Sequence, residues 1–268
     1  TLIIVIVMEK IQEQFFDIGA NLTHPSFEED IESVITDAQN LNVKRMSITG
    51  SDLEESIKAF ELTKQYPDCL VSTAGIHPHN AKEYSSNAFT EITALLKSEE
   101  VKCLGETGLD FYRNYSSPKQ QEVSFEAHIE AAIDYKVPLF LHEREAHDKF
   151  VEVITPYMQE LPASVVHCFT GNIDDAKRVI NLGGFYLGIG GVLTFKNSGL
   201  DKNIVAINLK YLILETDAPY LAPAPNRGKR NESKYLVNIA EKLAEIYNID
   251  IKKIAEITTA NAKHLFKI

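Results

Sequence analysis

Eight short apolar runs, each ending in small or polar residues, recur along a chain of 268 residues. They are FFDIGANL (15–22), VKRMSIT (43–49), CLVSTAGI (69–76), VKCLGET (101–107), VPLFLHE (137–143), SVVHCF (164–169), GFYLGIG (184–190) and YLILETD (211–217). Runs this short, bounded by turn residues, read as buried strands. Between most of them lie longer segments with helical periodicity, among them FEEDIESVITDAQNL, LEESIKAFELTKQY and SPKQQEVSFEAHIEAAIDY. Two more, SKYLVNIAEKLAEIY and IKKIAEITTANAKHLF, close the chain. Pro25-Ser26 is expected to open the first helix, with Ser26 as N-cap and Glu29 three residues on; Ser117-Pro118 is expected to open the third. The link between the seventh and eighth runs is less regular. Strands alternating with helices predict a parallel sheet with right-handed crossovers. Eight repeats in this length predict an α/β fold closed as a (β/α)₈ TIM barrel, with a doubly wound open sheet as the alternative.

The barrel is expected to fill 15–268 as one domain, since 44% hydrophobic residues suffice for one large core and no Gly/Ser/Pro linker interrupts the chain. Residues 1–14 read as an N-terminal extension. Leu2–Val7 is apolar but far too short to span a membrane, and it lacks the basic flank of a signal peptide. Met8 is the expected natural start, which makes residues 1–7 upstream sequence; an extra edge strand is the alternative. No membrane association and a cytoplasmic location are expected, nuclear if the source is eukaryotic. Three cysteines without C-x-x-C spacing fit a reducing compartment, each as a small core residue. The formal net charge of −11 excludes holding a polyanion by bulk attraction, because that affinity comes from Lys and Arg. A phosphate-bearing substrate would need local positive charge, from a metal or a few placed arginines.

A barrel puts its active site at the C-terminal ends of the strands. The third run ends in Gly75-Ile76-His77-Pro78-His79, the fourth in Gly105-Glu106-Thr107-Gly108-Leu109-Asp110, the fifth in Leu141-His142-Glu143-Arg144, the sixth in Val166-His167-Cys168-Phe169 and the eighth in Glu215-Thr216-Asp217-Ala218-Pro219. His77, Glu106, His142, His167 and Asp217 thus meet on one rim. A single histidine at a strand end is more often a hydrogen-bonded structural residue than a ligand. Five such groups, each just after an apolar run, form a mixed N/O set that suits Zn²⁺, Mn²⁺, Co²⁺ or hydrated Mg²⁺. G-x-S-x-G and P-loop patterns are absent, so water activated by a divalent ion is the favoured nucleophile. His79 is expected to shape the Pro78 turn. His24, His128, His147 and His264 are expected to be surface or cap residues. Glu215 shares a strand face with Asp217 and is expected either beside the ligands or lower in the barrel, paired with a cation.

FDIGANLT, TAGIHPH, GETGLDFYRN, PLFLHERE, HCFTG, ETDAPYL and RNE together resemble the TatD family of metal-dependent deoxyribonucleases, within the amidohydrolase-like barrels. The resemblance covers the chain except residues 1 to about 12. It implies a hydrolase of DNA ester bonds, acting as a 3′→5′ exonuclease on single strands. It implies Glu106, His142 and His167 as metal ligands, Asp217 as a ligand or the base for the attacking water, and His77 near the scissile phosphate. It implies Mg²⁺ as the ion in use, with Zn²⁺ or Mn²⁺ as alternatives. No obligate protein partner is evident, and a monomer is expected. One departure matters: the His-x-His of the wider family aligns with Gly19-Ala20-Asn21. One well-defined ion and a second, weak one are therefore expected.

Arg113, Arg144 and Arg230, with Asn231 and Asn21, are the expected phosphate-binding residues, and for Arg113 and Arg144 a solvated surface role weighs equally. Phe111, Tyr112, Phe169 and Tyr220 either stack on unpaired bases or pack the rim. Asp217 is expected to stay ionised beside the cation and to take the water's proton. The main alternative function is a metal-dependent amidohydrolase or deacylase on a small-molecule or aminoacyl ester or amide. A non-catalytic scaffold on a decayed barrel is disfavoured by the intact ligand set.

Overall fold

The computed structural model describes residues 14–268. The expected extension and the question of Met8 lie outside the described residues, apart from Gln14. Eight parallel strands follow in chain order: β1 (Phe15–Ala20), β2 (Val43–Ile48), β3 (Leu70–Ala74), β4 (Val101–Asp110), β5 (Leu139–Arg144), β6 (Ser164–Val166), β7 (Phe185–Ile189) and β8 (Leu212–Leu214). β8 returns to β1 through Asp217 N–H to Gly19 O at 2.8 Å and Asn21 N–H to Ala218 O at 2.7 Å. The sheet is therefore a TIM barrel, and the open doubly wound alternative is excluded.

The helices are α1 (Ile31–Asn40), α2 (Leu53–Gln65), α3 (Ser86–Leu95), α4 (Pro118–Tyr135), α5 (His147–Ile154), α6 (Ile173–Leu182), the short α7 (Leu200–Ile204), α8 (Leu236–Tyr247) and α9 (Ile251–Phe266). Ser117 and Pro118 open α4 as expected, and Gln120 completes a capping box with Ser117. The start of α1 differs from expectation. Pro25–Phe27 is a separate 3₁₀ turn capped by His24, and α1 begins only after Asp30. Pro25 sets the turn, but Ser26 donates its backbone N–H to His24 Nδ1 at 3.1 Å and caps nothing. His128 is a second correction: it is fully buried in α4. Its ring accepts from Ile76 N–H at 3.0 Å and contacts Ser124 O at 2.7 Å, which anchors the backbone beside His77.

Alternation along the strands sorts side chains between two cores. Phe16, Ile18, Val71, Cys103, Phe140, Val165 and Ile213 fill the lumen, which Leu265 and Phe266 of α9 also pack against. Residues two further along those strands on the same face reach the mouth. This is why His142 and Arg144 follow Phe140, and why Glu215 and Asp217 follow Ile213. Glu143 faces away and accepts from Ala146 N–H at 3.0 Å.

Asp17 falls between two lumen residues and therefore points outward. It binds β8 instead, accepting from Thr216 N–H at 2.9 Å and Thr216 Oγ1 at 2.6 Å. Burial raises its pKa from 3.8 to about 7, against the pull of these donors. An acid with a raised folded pKa binds its proton more tightly in the folded state. Its stabilisation is complete below the unfolded value of 3.8 and is lost as pH rises through about 7. A shift of that size corresponds to at most about 4 kcal/mol. Chemical denaturation across this window should show Asp17→Asn gaining on the wild type as pH rises. Parallel curves for the two proteins would show that Asp17 is not the group responsible.

Candidate metal centre

Glu106 sits at the middle of the rim, nearly buried, where β4 leaves regular pairing. Between Leu104 and Thr107 its ladder with β5 slips, and this bulge turns Glu106 into the mouth. Three imidazole nitrogens converge on Glu106 Oε1: His167 Nε2 at 2.7 Å, His142 Nδ1 at 2.8 Å and His77 Nε2 at 3.0 Å. Among the described residues, donor atoms of His77, Glu106 and His142 lie within 4.8 Å of one another, a group that could hold a metal ion. His167 adjoins it, with Nε2 at 3.4 Å from His142 Nδ1.

The second ring nitrogens show what each histidine offers. His77 Nδ1 accepts the backbone N–H of His79 at 3.0 Å. Burial lowers its pKa to about 4, so the ring is neutral and its one proton sits on Nε2. His77 therefore faces Glu106 as an N–H donor. His142 has a carboxylate on each side: its Nε2 lies 3.2 Å from Asp110 Oδ2 and its Nδ1 2.8 Å from Glu106 Oε1. His167 directs Nδ1 toward Glu215 Oε2 at 3.7 Å and Nε2 toward Glu106. Burial alone would lower the pKa of both rings, but neighbouring carboxylates hold His142 above and His167 well above its usual value. Glu106 is itself held well below the carboxylate range, because His167 and His77 outweigh its burial.

Asp217 takes a positive φ of 57° at the end of β8 and accepts from Asn21 Nδ2 at 3.2 Å. Burial, then the Glu106 and Glu215 carboxylates, push its pKa up to about 7 against the pull of His167. Full ionisation at neutral pH, as expected from sequence, thus requires a cation beside it. Gly19 lines the same side. A Cβ there would stand 3.0 Å from both Glu215 Oε2 and Phe140 Cζ, so Glu215 and Phe140 occupy the space a side chain at 19 would need.

The phosphate-binding expectations fare unequally. Asn231 is fully buried, and its amide donates to Thr216 O at 2.7 Å and Tyr220 O at 2.6 Å, so it braces the β8 loop. Arg230 is tied bidentately to Asp30 at 2.6 and 2.9 Å and also reaches Glu232, so both its terminal nitrogens are engaged within the protein. Asn21 gives its amide to Asp217 and to Ala218 O at 3.1 Å, which orients Asp217 and leaves no N–H for a phosphate. Arg144 lies over the exposed Tyr112 ring at 4.2 Å, with Arg113 at 5.4 Å from the same ring. Phe169 is buried and Phe111 packs on the core, so neither is a platform, whereas Tyr112 and Tyr220 are exposed. Cys168 departs from the expected core role: it is partly exposed beside the site, and its backbone N–H binds Glu215. Asp110 and His79 were not singled out from sequence as site residues. The signal was there, since Asp110 shares the strand face of Glu106 two pleats on.

An N/O cluster that could hold a metal ion, at the C-terminal mouth of such a barrel, is the kind of site a hydrolase uses. The TatD-related DNase family model matches residues 16–267, and the chain belongs to that family. It is 40% identical over 258 residues to the 3′-5′ ssDNA/RNA exonuclease TatD of Edwardsiella piscicida, covering 94% of this chain and 99% of that one. The protein of the same name from Salmonella typhimurium is 39% identical over 259 residues, with coverages of 94% and 99%. The crystal structure of YjjV, a TatD homologue from Escherichia coli K12, superposes with a TM-score of 0.88 at 26% identity, covering 95% and 98% of the chains.

Proposed function

We propose that the chain is a divalent-metal-dependent 3′→5′ exonuclease on single-stranded DNA, with RNA as a second substrate, as its relatives are named. The observation that carries this reading is the convergence of three imidazoles on the Glu106 carboxylate. His142 Nδ1 and His167 Nε2 both face that carboxylate, and once relieved of their protons they would offer an ion two imidazole nitrogens beside it, a donor set with the chemistry of an ion site. Glu106, His142, His167 and Asp217 would hold the ion. Mg²⁺ is the first choice, and Mn²⁺ or Zn²⁺ would also suit two imidazoles with carboxylates. One ion is well defined, because Gly19 offers no ligand and Asn21 is spent on Asp217; a second binds weakly. Such an ion would supply Lewis acidity toward the phosphate and toward the attacking water.

Asp217 takes the proton of the attacking water on its carboxylate. The water oxygen bonds to phosphorus, the P–O3′ bond breaks, and the 3′ oxygen leaves with a proton from bulk solvent. His77 donates its Nε2–H to a non-bridging phosphate oxygen, the proton that the neutral tautomer described above carries on that nitrogen. Arg144 and Arg113 hold neighbouring phosphates, and Tyr112 and Tyr220 offer ring surface to unpaired bases, each stack worth about 1–3 kcal/mol where measured. We place the enzyme in the cytosol as a monomer. No helix among the described residues is long and apolar enough to cross a membrane.

The test is a 3′-labelled single-stranded oligonucleotide with Mg²⁺, Mn²⁺ or Zn²⁺. Wild type should release labelled mononucleotide, and Asp217→Asn should lower kcat on the order of 10²–10³-fold, within the range general base catalysis supplies. A wild type that leaves the strand intact with every ion, yet cleaves an ester or amide panel, would establish the amidohydrolase alternative.

A further inference from the structure

We propose that Arg227, laid on the ring of Phe195 where the loops after β7 and β8 meet, holds a phosphate of the single strand further from the cleaved end than Arg113 and Arg144 do. That a strand arrives here rests on the nuclease reading above. Arg113, Arg144, Arg227 and Arg230 stand at the barrel mouth, on or just after β4, β5 and β8. Arg230 is taken by Asp30 at 2.6 Å. The other three form no ion pair among the described residues. Each lies over a ring instead. Arg113 and Arg144 share Tyr112, at 5.4 and 4.2 Å, and Arg227 lies over Phe195 at 3.5 Å.

The ring and the arginine are both fixed by their loops. Gly191 packs so closely on the β8 loop that a Cβ there would clash with the Leu221 carbonyl oxygen. Thr194 Oγ1 ties the two loops together: it accepts Ala224 N–H at 2.8 Å and donates to Gly191 O at 2.8 Å. Phe195 follows Thr194, is half-buried, and gives its own N–H to Val192 O at 3.0 Å. On the β8 side Pro223 and Pro225 restrict the backbone. Asn226 O then accepts Lys229 N–H at 3.1 Å, which makes Arg227 and Gly228 the central residues of a tight turn. Gly228 has a φ of 81°, as the third residue of a type II turn requires. Arg227 is thus held at an exposed apex.

A guanidinium stacked on a ring spends its face and keeps its edge. The edge N–H groups match two oxygens of a phosphodiester, and a side chain already held loses less freedom on binding. Lys196 and Lys229, on the same two loops, are exposed and form no ion pair among the described residues. Three cations without carboxylate partners, in a chain of net charge −11, are the local positive charge that a polyanion needs. Packing alone would account for the ring contact but not for the missing carboxylates. Tyr112 and its arginines stand at β4 and β5, three strands round the barrel from β7 and β8. A ligand that meets both arginine–ring pairs must carry several phosphates, as a strand does and a mononucleotide does not.

The experiment measures binding of a long oligothymidylate to the metal-free protein by fluorescence anisotropy across a salt series, which leaves the strand uncut. Arg227→Met keeps an unbranched apolar side chain over Phe195 and removes the charge. It should weaken binding roughly tenfold at low salt, the size of a charge-assisted hydrogen bond. The slope of log affinity against log salt should become shallower by about 0.7, one phosphate contact on a single strand. Arg227→Lys, which keeps the charge, should restore the slope. With Mn²⁺ present, kcat/KM for the long strand relative to that for a dinucleotide should fall roughly tenfold in Arg227→Met, because only the long strand reaches this subsite. An unchanged slope in a folded Arg227→Met, or a loss shared equally by the dinucleotide, would overturn the proposal. A wild type that binds no strand at low salt would overturn it too. A shallower slope in Arg227→Met, with a wild type that cuts no strand with any ion, would leave the subsite standing and overturn the proposed function instead.

Discussion

Glu106→Gln should abolish divalent-ion binding measurable by calorimetry and lower kcat/KM on the order of 10⁴-fold, while the thermal melt stays cooperative. A partner that merely supports a ligand is worth about 10- to 100-fold in metal affinity, so removing a charged group at the centre of the cluster costs more. Glu106 is the one carboxylate on which His77, His142 and His167 all converge. Its charge also holds the pKa of the latter two up, and with Gln those rings lose that support. The barrel core lies elsewhere, in the lumen below and between strands and helices, so the fold does not depend on this charge. Ion binding at wild-type strength in Glu106→Gln would remove this cluster as the metal centre.

The periodic features of this chain were legible because they depend on nearest neighbours. Eight strand runs predict eight strands, and alternation carries Phe140 to His142 to Arg144 along one face. What escaped depends on partners distant in sequence. Arg230 looks from sequence like a phosphate ligand after the last strand, but Asp30, two hundred residues earlier, takes its guanidinium. Asn231 looks equally polar and available, yet the β8 loop folds over it. His128 reads as a helix-surface residue because the apolar stripe of α4 does not reveal that Ile76 N–H lies against it. Gly19-Ala20-Asn21 correctly signals missing imidazoles. That Glu215 and Phe140 fill the space is a tertiary fact, since no local pattern links position 19 to position 215.

Gly105→Ala should destabilise the protein by more than about 4 kcal/mol, enough to remove most soluble folded material, because strain at a special backbone angle and a buried clash add here. Gly105 has a φ of 142°, where an L side chain is strained whatever the space. Its added Cβ would also lie 2.2 Å from the carbonyl oxygen of Phe140 on β5. That contact cannot relax cheaply, since the oxygen belongs to the backbone of a central strand and Phe140 fills the lumen. Relief would require β4 to move away from β5 at the very bulge that aims Glu106. Stability and site geometry are therefore coupled at this residue. Gly190→Ala is the fitting control: its φ is −110° and its added Cβ would meet only ordinary contacts at 3.7 Å and beyond. It should be neutral or gain roughly 0.4–1 kcal/mol by restricting the unfolded chain. Equilibrium urea unfolding of the two variants reads the contrast. A Gly105→Ala protein as stable as the wild type would mean that β4 does not pass β5 as closely as the Glu106 bulge requires.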